Sequence, residues 1–155
     1  CGEMISGAGI MLNNMLGEAD LNPAGFHSWI PGQRMSSMMA PTLVRLADGT
    51  VIATGSGGSN RIRTAILQIV VNIVEHGMDL EQAIHAPRIH FEDGVLCIEG
   101  GLSRGVVDEM ELRYPDCRHW PGLAFFFGGA HSVMSRGGKL SGVGDPRRAG
   151  DCRKV

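Results

Sequence analysis

The sequence has 155 residues, 43% hydrophobic and 19% charged, so it is long enough to bury a sizeable core and its composition excludes disorder. Its net charge of −2 gives no electrostatic footprint for nucleic acid or an anionic membrane surface. No apolar run approaches the roughly 20 residues that cross a bilayer. The chain opens on Cys1 rather than a methionine, which indicates a processed product or an excised piece.

The first part of the chain is predicted to be a strand followed by a long loop. Residues 9–14, Gly-Ile-Met-Leu-Asn-Asn, favour a strand that ends in two polar residues. Residues 16–33 contain two prolines, three glycines and the acidic pair Glu18 and Asp20, which indicates a loop. A loop of this length in a compact domain is often functional.

A hairpin and a long amphipathic helix follow. Residues 42–46 and 50–54 are short apolar segments around an Asp-Gly turn, which predicts a hairpin. A helix is predicted from about Asn60 to His76, capped by Asn60 or Ser59 and ended by Gly77 at the C′ position. Its buried face has the i, i+3, i+4, i+7 spacing and comprises Ile62, Ala65, Ile66, Ile69, Val70, Ile73 and Val74.

The rest of the chain alternates hairpins and short helices. A second helix is predicted over 79–86, with Asp79 and Gln82 as a capping box and Pro87 as the stop. Residues 88–91 and 95–99 predict a hairpin. Ser103 is expected to cap a helix over 104–113, whose apolar positions are Val106, Val107, Met110 and Leu112. A short strand over 117–120 and a hairpin of 132–135 with 140–143 complete an antiparallel α+β layer arrangement.

The stretch 54–62, Thr-Gly-Ser-Gly-Gly-Ser-Asn-Arg-Ile, joins a predicted strand to the start of the long helix. Bare glycines and a helix N-terminus present several backbone N–H groups to one point, as a developing negative charge requires. A phosphate cradle is disfavoured because there is no lysine in the P-loop position and no G-x-G-x-x-G. The alternatives are an oxyanion or carboxylate site and a simple tight turn.

Cysteine and histidine placement does not indicate a metal centre. The four cysteines, Cys1, Cys97, Cys117 and Cys152, form no C-x-x-C; they could form disulfides, but their spacing does not show pairing. The six histidines are scattered, and His85 and His90 flank Pro87 without sharing a helical face. We expect neither a metal nor an organic cofactor.

Several short motifs span nearly the whole chain: residues 9–14, Pro31-Gly32, Ser36-Ser37-Met38 with Pro41-Thr42, the glycine stretch with Arg61-Ile62, Leu67-Gln68, Asn72, Ala86-Pro87-Arg88 and Asp145-Pro146-Arg147. In their order and spacing these motifs resemble the gamma-glutamyltransferases of the N-terminal-nucleophile hydrolase superfamily, in the C-terminal part of their small subunit. On this basis residues 1–155 are expected to be one incomplete domain, the C-terminal portion of such a small subunit.

The resemblance implies part of an αββα sandwich, built jointly by a large and a small subunit after self-cleavage of one precursor. It also implies attack by an N-terminal threonine on a gamma-glutamyl amide such as glutathione, with water or an amine resolving the acyl-enzyme. The implied partners are that small-molecule substrate and the large subunit. The resemblance allows a periplasmic or extracellular location.

The resemblance also assigns roles to individual residues. Gly58 and Ser59 match the two backbone N–H donors of the oxyanion hole, although the second position is commonly glycine. Ser36 and Ser37 match the serine pair that binds the substrate α-carboxylate, a role that suits hydroxyl donors. Glu18 stands where the family has an aspartate that pairs with the α-amino group.

Three departures from the family pattern affect the predicted activity. Glu18 is one methylene longer than the family aspartate and Met15 replaces a glutamine, and both changes leave room for a different acyl amide, as in related cephalosporin acylases. The nucleophilic threonine lies some tens of residues before the strand at 9–14 in the family and is absent from this chain, and the same spacing argues against Cys1 as a nucleophile. We therefore expect the chain alone to be inactive. The alternative to an enzyme is a non-catalytic binding or structural chain that keeps only the scaffold.

Overall fold

The computed structural model describes residues 2–153, and the chain divides into two compact units between Met38 and Met39. In chain order the strands are β1 Met4–Ile5, β2 Ile10–Met11, β3 Thr42–Arg45, β4 Val51–Gly55, β5 Ile89–Glu92, β6 Val95–Ile98, β7 Cys117–His119, β8 His131–Arg136 and β9 Lys139–Val143. The α-helices are α1 Arg61–Val74, α2 Leu80–His85 and α3 Arg104–Arg113.

The first unit is a small β-ribbon followed by turns. β1 and β2 pair antiparallel, with Met4 opposite Met11. The strand predicted over residues 9–14 is wrong in length, because only Ile10 and Met11 pair. The loop predicted over 16–33 contains two 3₁₀ turns, Met15–Gly17 and Ala19–Leu21.

The second unit contains a four-stranded antiparallel sheet in the order β3-β4-β8-β9. The predicted hairpins β3–β4 and β8–β9 are both confirmed, with Val44 opposite Ile52 and Met134 opposite Ser141. β8 pairs antiparallel with β4, which joins the two hairpins across the 75 residues between Gly55 and His131.

A second sheet has three strands in the order β5-β6-β7. The predicted hairpin β5–β6 is confirmed, with His90 opposite Cys97. β7 pairs with β6 in parallel, with Leu96 opposite Cys117, which is an exception to the antiparallel arrangement that the sequence predicts. The physical reason is that α3 lies between the two strands and returns the chain to the same end of the sheet.

One face of the four-stranded sheet packs against α1 and α2. The core residues come from β4, β8, the residue just before β8, and both helices: Ile52, Ile69, Ile73, Leu80, Ala83, Ile84, Ala130 and Met134. The buried side of α1 is Ile62, Ala65, Ile66, Ile69 and Ile73, as its spacing predicts, while Val74 is exposed.

The opposite face of this sheet is apolar and exposed. Leu43, Val51, Val133 and Leu140 alternate with the core-facing residues of their strands. Leu43 is 77% exposed and Leu140 is 74% exposed. An apolar sheet face of this kind is typical of a surface that a further layer or another chain covers.

α3 lies outside the core. It begins after Ser103 as predicted, but the Ser103 side chain makes no capping bond. The predicted apolar positions form no buried stripe, since Leu112 is 87% exposed and Val106 is also exposed. Arg104 and Asp108, 2.8 Å apart, pair along its surface.

Candidate functional site

The glycine stretch forms a tight turn between β4, which ends at Gly55, and α1, which begins at Arg61. Gly58 has φ 120° and Ser59 has φ 58°, so two successive residues occupy the left-handed half of backbone space. The carbonyl of Gly58 accepts from the N–H of Arg61 at 3.2 Å, and that of Ser59 accepts from Ile62 at 3.0 Å. Serine rarely adopts such a φ, and strain of this kind is concentrated at functional sites.

Asn60 precedes α1 at the predicted cap position, but the predicted side-chain cap is wrong. The Asn60 amide donates instead to Glu92, which lies on β5. The other carboxylate oxygen of Glu92 lies 3.2 Å from Nε2 of His90, and Nδ1 of His90 lies 2.9 Å from the Thr64 hydroxyl. His90 thus has a structural role, since its hydrogen bonds hold Glu92, which in turn fixes Asn60 directly after Ser59.

A second pair of glycines, Gly128 and Gly129, packs against the turn. A Cβ on Gly128 would lie 2.7 Å from the Ser56 hydroxyl and 3.0 Å from the Gly57 carbonyl oxygen. The Gly129 N–H donates to the Ser56 hydroxyl at 3.3 Å. Only glycine permits this close approach of two backbones. The sequence offered no signal for it beyond the two adjacent glycines.

Four buried charges hold the segment that carries this second glycine pair. Arg88 lies 2.7 Å from Asp145, and Arg147 lies 2.5 Å from Glu99 and 3.2 Å from Asp145. Arg88 also donates to the carbonyl of Phe127, the residue before the glycine pair. The motifs around Arg88 and Arg147 were noted in the sequence, but this ionic network between them was not predicted.

The network is closed by backbone donors. The Asp145 carboxylate accepts from the N–H of Ala130 at 2.8 Å and from that of Arg147 at 3.0 Å. The Glu99 carboxylate accepts from the N–H of Arg88 at 3.0 Å and from that of Ala124 at 2.8 Å. Burial opposes ionisation of Asp145, but Arg88 and these N–H groups outweigh burial and hold the pKa of the carboxyl below its usual value.

The other predicted site residues, Glu18, Ser36 and Ser37, belong to the first unit. Glu18 is half-buried between the two 3₁₀ turns, and its carbonyl accepts from the Asn22 side chain at 2.7 Å. Ser36 and Ser37 are exposed and lie outside regular secondary structure. The predicted contacts are therefore divided between the two units, and their assembly into one site stays a prediction.

Asn22 organises the loop around Glu18, a role that the sequence did not reveal. Its side-chain amide also donates to the carbonyl of Leu16 at 3.0 Å, and its side-chain oxygen accepts from the Trp29 indole at 2.9 Å. Asn22 is 6% exposed, so these bonds satisfy a buried polar group.

Within residues 2–153 no group of three or more His, Cys, Asp or Glu side chains is arranged to hold a metal ion. Cys97, Cys117 and Cys152 are unpaired, and Cys1 lies outside the described residues. None of the helices in the described part of the chain has the length and apolarity to cross a membrane.

The sequence profile of the family described as gamma-glutamyltranspeptidase matches residues 1–155. The chain is 31% identical over 157 aligned positions to the glutathione hydrolase proenzyme of Escherichia coli strain K12, covering 93% of this chain and 26% of that protein. It is 34% identical over 109 positions to the acylase ACY 1 proenzyme of Pseudomonas sp. strain SE83, covering 70% of this chain and 20% of that protein. The chain thus spans between a fifth and about a quarter of the length of these curated relatives.

A solved structure of a Helicobacter pylori gamma-glutamyltranspeptidase mutant superposes with a TM-score of 0.74 at 27% identity, covering 94% of this chain and 85% of that chain. The predicted fold class, an α+β part of an αββα N-terminal-nucleophile hydrolase sandwich, is confirmed. Within that class, the chain belongs to the gamma-glutamyltranspeptidase family.

Proposed function

We propose that this chain is part of an acyl-transfer enzyme that cleaves gamma-glutamyl amides of the glutathione type, by hydrolysis or by transfer to an amine. The observation that carries the proposal is the turn at Gly58 and Ser59, placed at the start of α1 in a chain of this family. In the proposal this turn supplies the oxyanion donors, Ser36 and Ser37 bind the α-carboxylate, and Glu18 pairs with the α-amino group.

The backbone of the turn supports an oxyanion role. Gly58 and Ser59, whose N–H groups are the proposed donors, both have positive φ values, 120° and 58°, and they directly precede the first turn of α1. The N-terminal end of α1 adds its partial positive charge at the same point. Both effects favour the negative oxygen of a tetrahedral intermediate over the neutral carbonyl of the substrate.

The proposal includes a partner chain, the large subunit, which is cut from the same precursor. Relatives of this chain are proenzymes, that is, precursors. The exposed apolar face around Leu43 and Val133 supplies the surface on which the remaining layers of the sandwich would pack. The nucleophile would come from outside residues 1–155.

A related acylase with another acyl group is the second candidate function. Met15 cannot donate or accept a hydrogen bond as a glutamine can, and Glu18 is one methylene longer than the family aspartate. The similarity to the acylase ACY 1 proenzyme favours the same candidate.

Release of a chromophore from a gamma-glutamyl anilide tests the proposal. It would be measured on residues 1–155 alone and on the parent protein, meaning the natural protein that carries this chain. We expect turnover by the parent protein and none by the chain alone, and activity in the short chain would instead point to Cys1. Turnover of a glutaryl anilide alone would favour the acylase, and no turnover of either anilide would overturn both functions in favour of the scaffold alternative.

A further inference from the structure

Arg148 lies directly against the glycine turn. Its Nη2 atom is 3.0 Å from the position that a Cβ on Gly58 would occupy, and its Cζ atom is 3.7 Å from the corresponding position on Gly57. The stem of its side chain fills the space that a Cβ on Gly129 would need. The Arg148 guanidinium is therefore wedged between the two glycine segments.

The guanidinium lacks the partners that usually stabilise a partly buried arginine. Within residues 2–153 its Nε atom has no hydrogen-bond acceptor, and no carboxylate lies within ion-pair distance. Its neighbouring group is the ring of Phe125, whose centroid is 3.8 Å from Cζ. Stacking on an aromatic face holds the group in place without neutralising its charge.

The contrast with Arg147 is informative. Arg147 is fully buried and is neutralised by Glu99 and Asp145. Arg148, the next residue, is half-buried and keeps its charge beside Gly58. The Nε atom of Arg88 also lacks an acceptor, so the feature specific to Arg148 is a guanidinium that has no carboxylate within ion-pair distance in residues 2–153 and lies beside the turn where negative charge would develop.

We propose that Arg148 is a positioning residue for the oxyanion turn: it holds Gly57 and Gly58 in place and adds a fixed positive charge beside them. This inference rests on the proposed function. The positive charge of Arg148 would favour the anionic intermediate over the neutral substrate. Removal of this charge should therefore lower kcat rather than raise KM.

The test compares three variants of the parent protein on the gamma-glutamyl anilide. Arg148→Met keeps the apolar stem and removes the charge, Arg148→Lys keeps a charge, and Arg104→Met removes an equal charge from the exposed surface of α3. We expect Arg148→Met to lower kcat about 10- to 100-fold, less than the loss of a direct oxyanion donor, with KM within about threefold. Arg148→Lys should regain at least part of this loss, and Arg104→Met should match the wild type.

Equal losses in the Met and Lys variants, a loss confined to KM, or wild-type kcat in Arg148→Met would each overturn the inference. Hydrogen exchange at the amides of residues 57–61 provides a readout that needs no turnover. We expect faster exchange there in Arg148→Met than in Arg104→Met, and equal exchange would contradict the positioning role. If the wild-type protein cleaves neither anilide, the proposed function fails, while the exchange measurement still decides whether Arg148 holds the turn.

Discussion

Gly58 is the residue on which the glycine turn depends most directly. Its φ of 120° is unfavourable for any side chain, and a Cβ would meet Arg148 at 3.0 Å. We therefore expect Gly58→Ala to lower kcat/KM of the parent protein on the gamma-glutamyl anilide by about 100- to 1000-fold, as for a lost oxyanion donor. Ser59→Gly is the matched control: φ 58° suits glycine, so its activity should stay within about threefold of the wild type. Activity in Gly58→Ala above a third of the wild-type value would contradict the assignment.

Asp145 links the buried charges to the pH dependence of stability. Its pKa is lowered in the folded state, so its contribution is complete above the unfolded-state pKa of about 3.9 and is lost as the pH falls through the folded-state pKa. We expect the free energy of unfolding of the parent protein, measured with urea, to fall as the pH is lowered below about 4. Asp145→Asn should flatten this dependence and cost about 3–5 kcal/mol at neutral pH, because Arg88 is left buried without its counter-charge.

The control for Asp145 is the exposed pair of Arg104 and Asp108 on α3. Asp108→Asn should change the stability by about 0–1 kcal/mol, since solvent screens exposed ion pairs. A similar loss in both variants would mean that burial adds nothing to the effect of Asp145.

At the level of elements, α2 offers the most direct test of a local sequence signal. The predicted capping box is confirmed: the Gln82 N–H donates to Asp79 at 2.8 Å, and the Asp79 N–H donates to Gln82 at 3.1 Å. Asp79→Ala should lower the free energy of unfolding by about 1 kcal/mol, because it removes one partner of the capping box. Glu81→Ala, in the same exposed turn, should have a smaller effect in the same urea measurement, and equal effects would exclude a specific cap.

The elements also show how far sequence reasoning reaches. The hairpins, the buried face of α1 and the capping box of α2 were predicted correctly because their signals lie within a few residues of each other. Two contacts were not predicted: the parallel pairing of β6 with β7, and the hydrogen bond from the Asn60 side chain to Glu92. Both depend on residues that only the tertiary fold brings together. For the same reason the motifs at Arg88 and Arg147 could be noted but their ionic network could not be predicted.

For the whole molecule, the exposed sheet face predicts the behaviour of the chain by itself. Leu43 and Val133 lie opposite Ala53 on adjacent strands and present an apolar surface. We expect isolated residues 1–155 to associate at micromolar concentration in light scattering, and Leu43→Lys with Val133→Lys to reduce that association. In the parent protein the same double change should lower the yield of assembled enzyme. A monodisperse wild-type monomer would show that this face needs no covering layer.

The ionic network also sets an order of events during synthesis. Arg88 and Glu99 leave the ribosome well before Asp145 and Arg147, which supply their counter-charges. A nascent chain that has reached only residue 144 would have to bury Arg88 and Glu99 without these counter-charges, which is unfavourable until residues 145–148 emerge. We therefore expect this unit to close only after residues 145–148 have been synthesised.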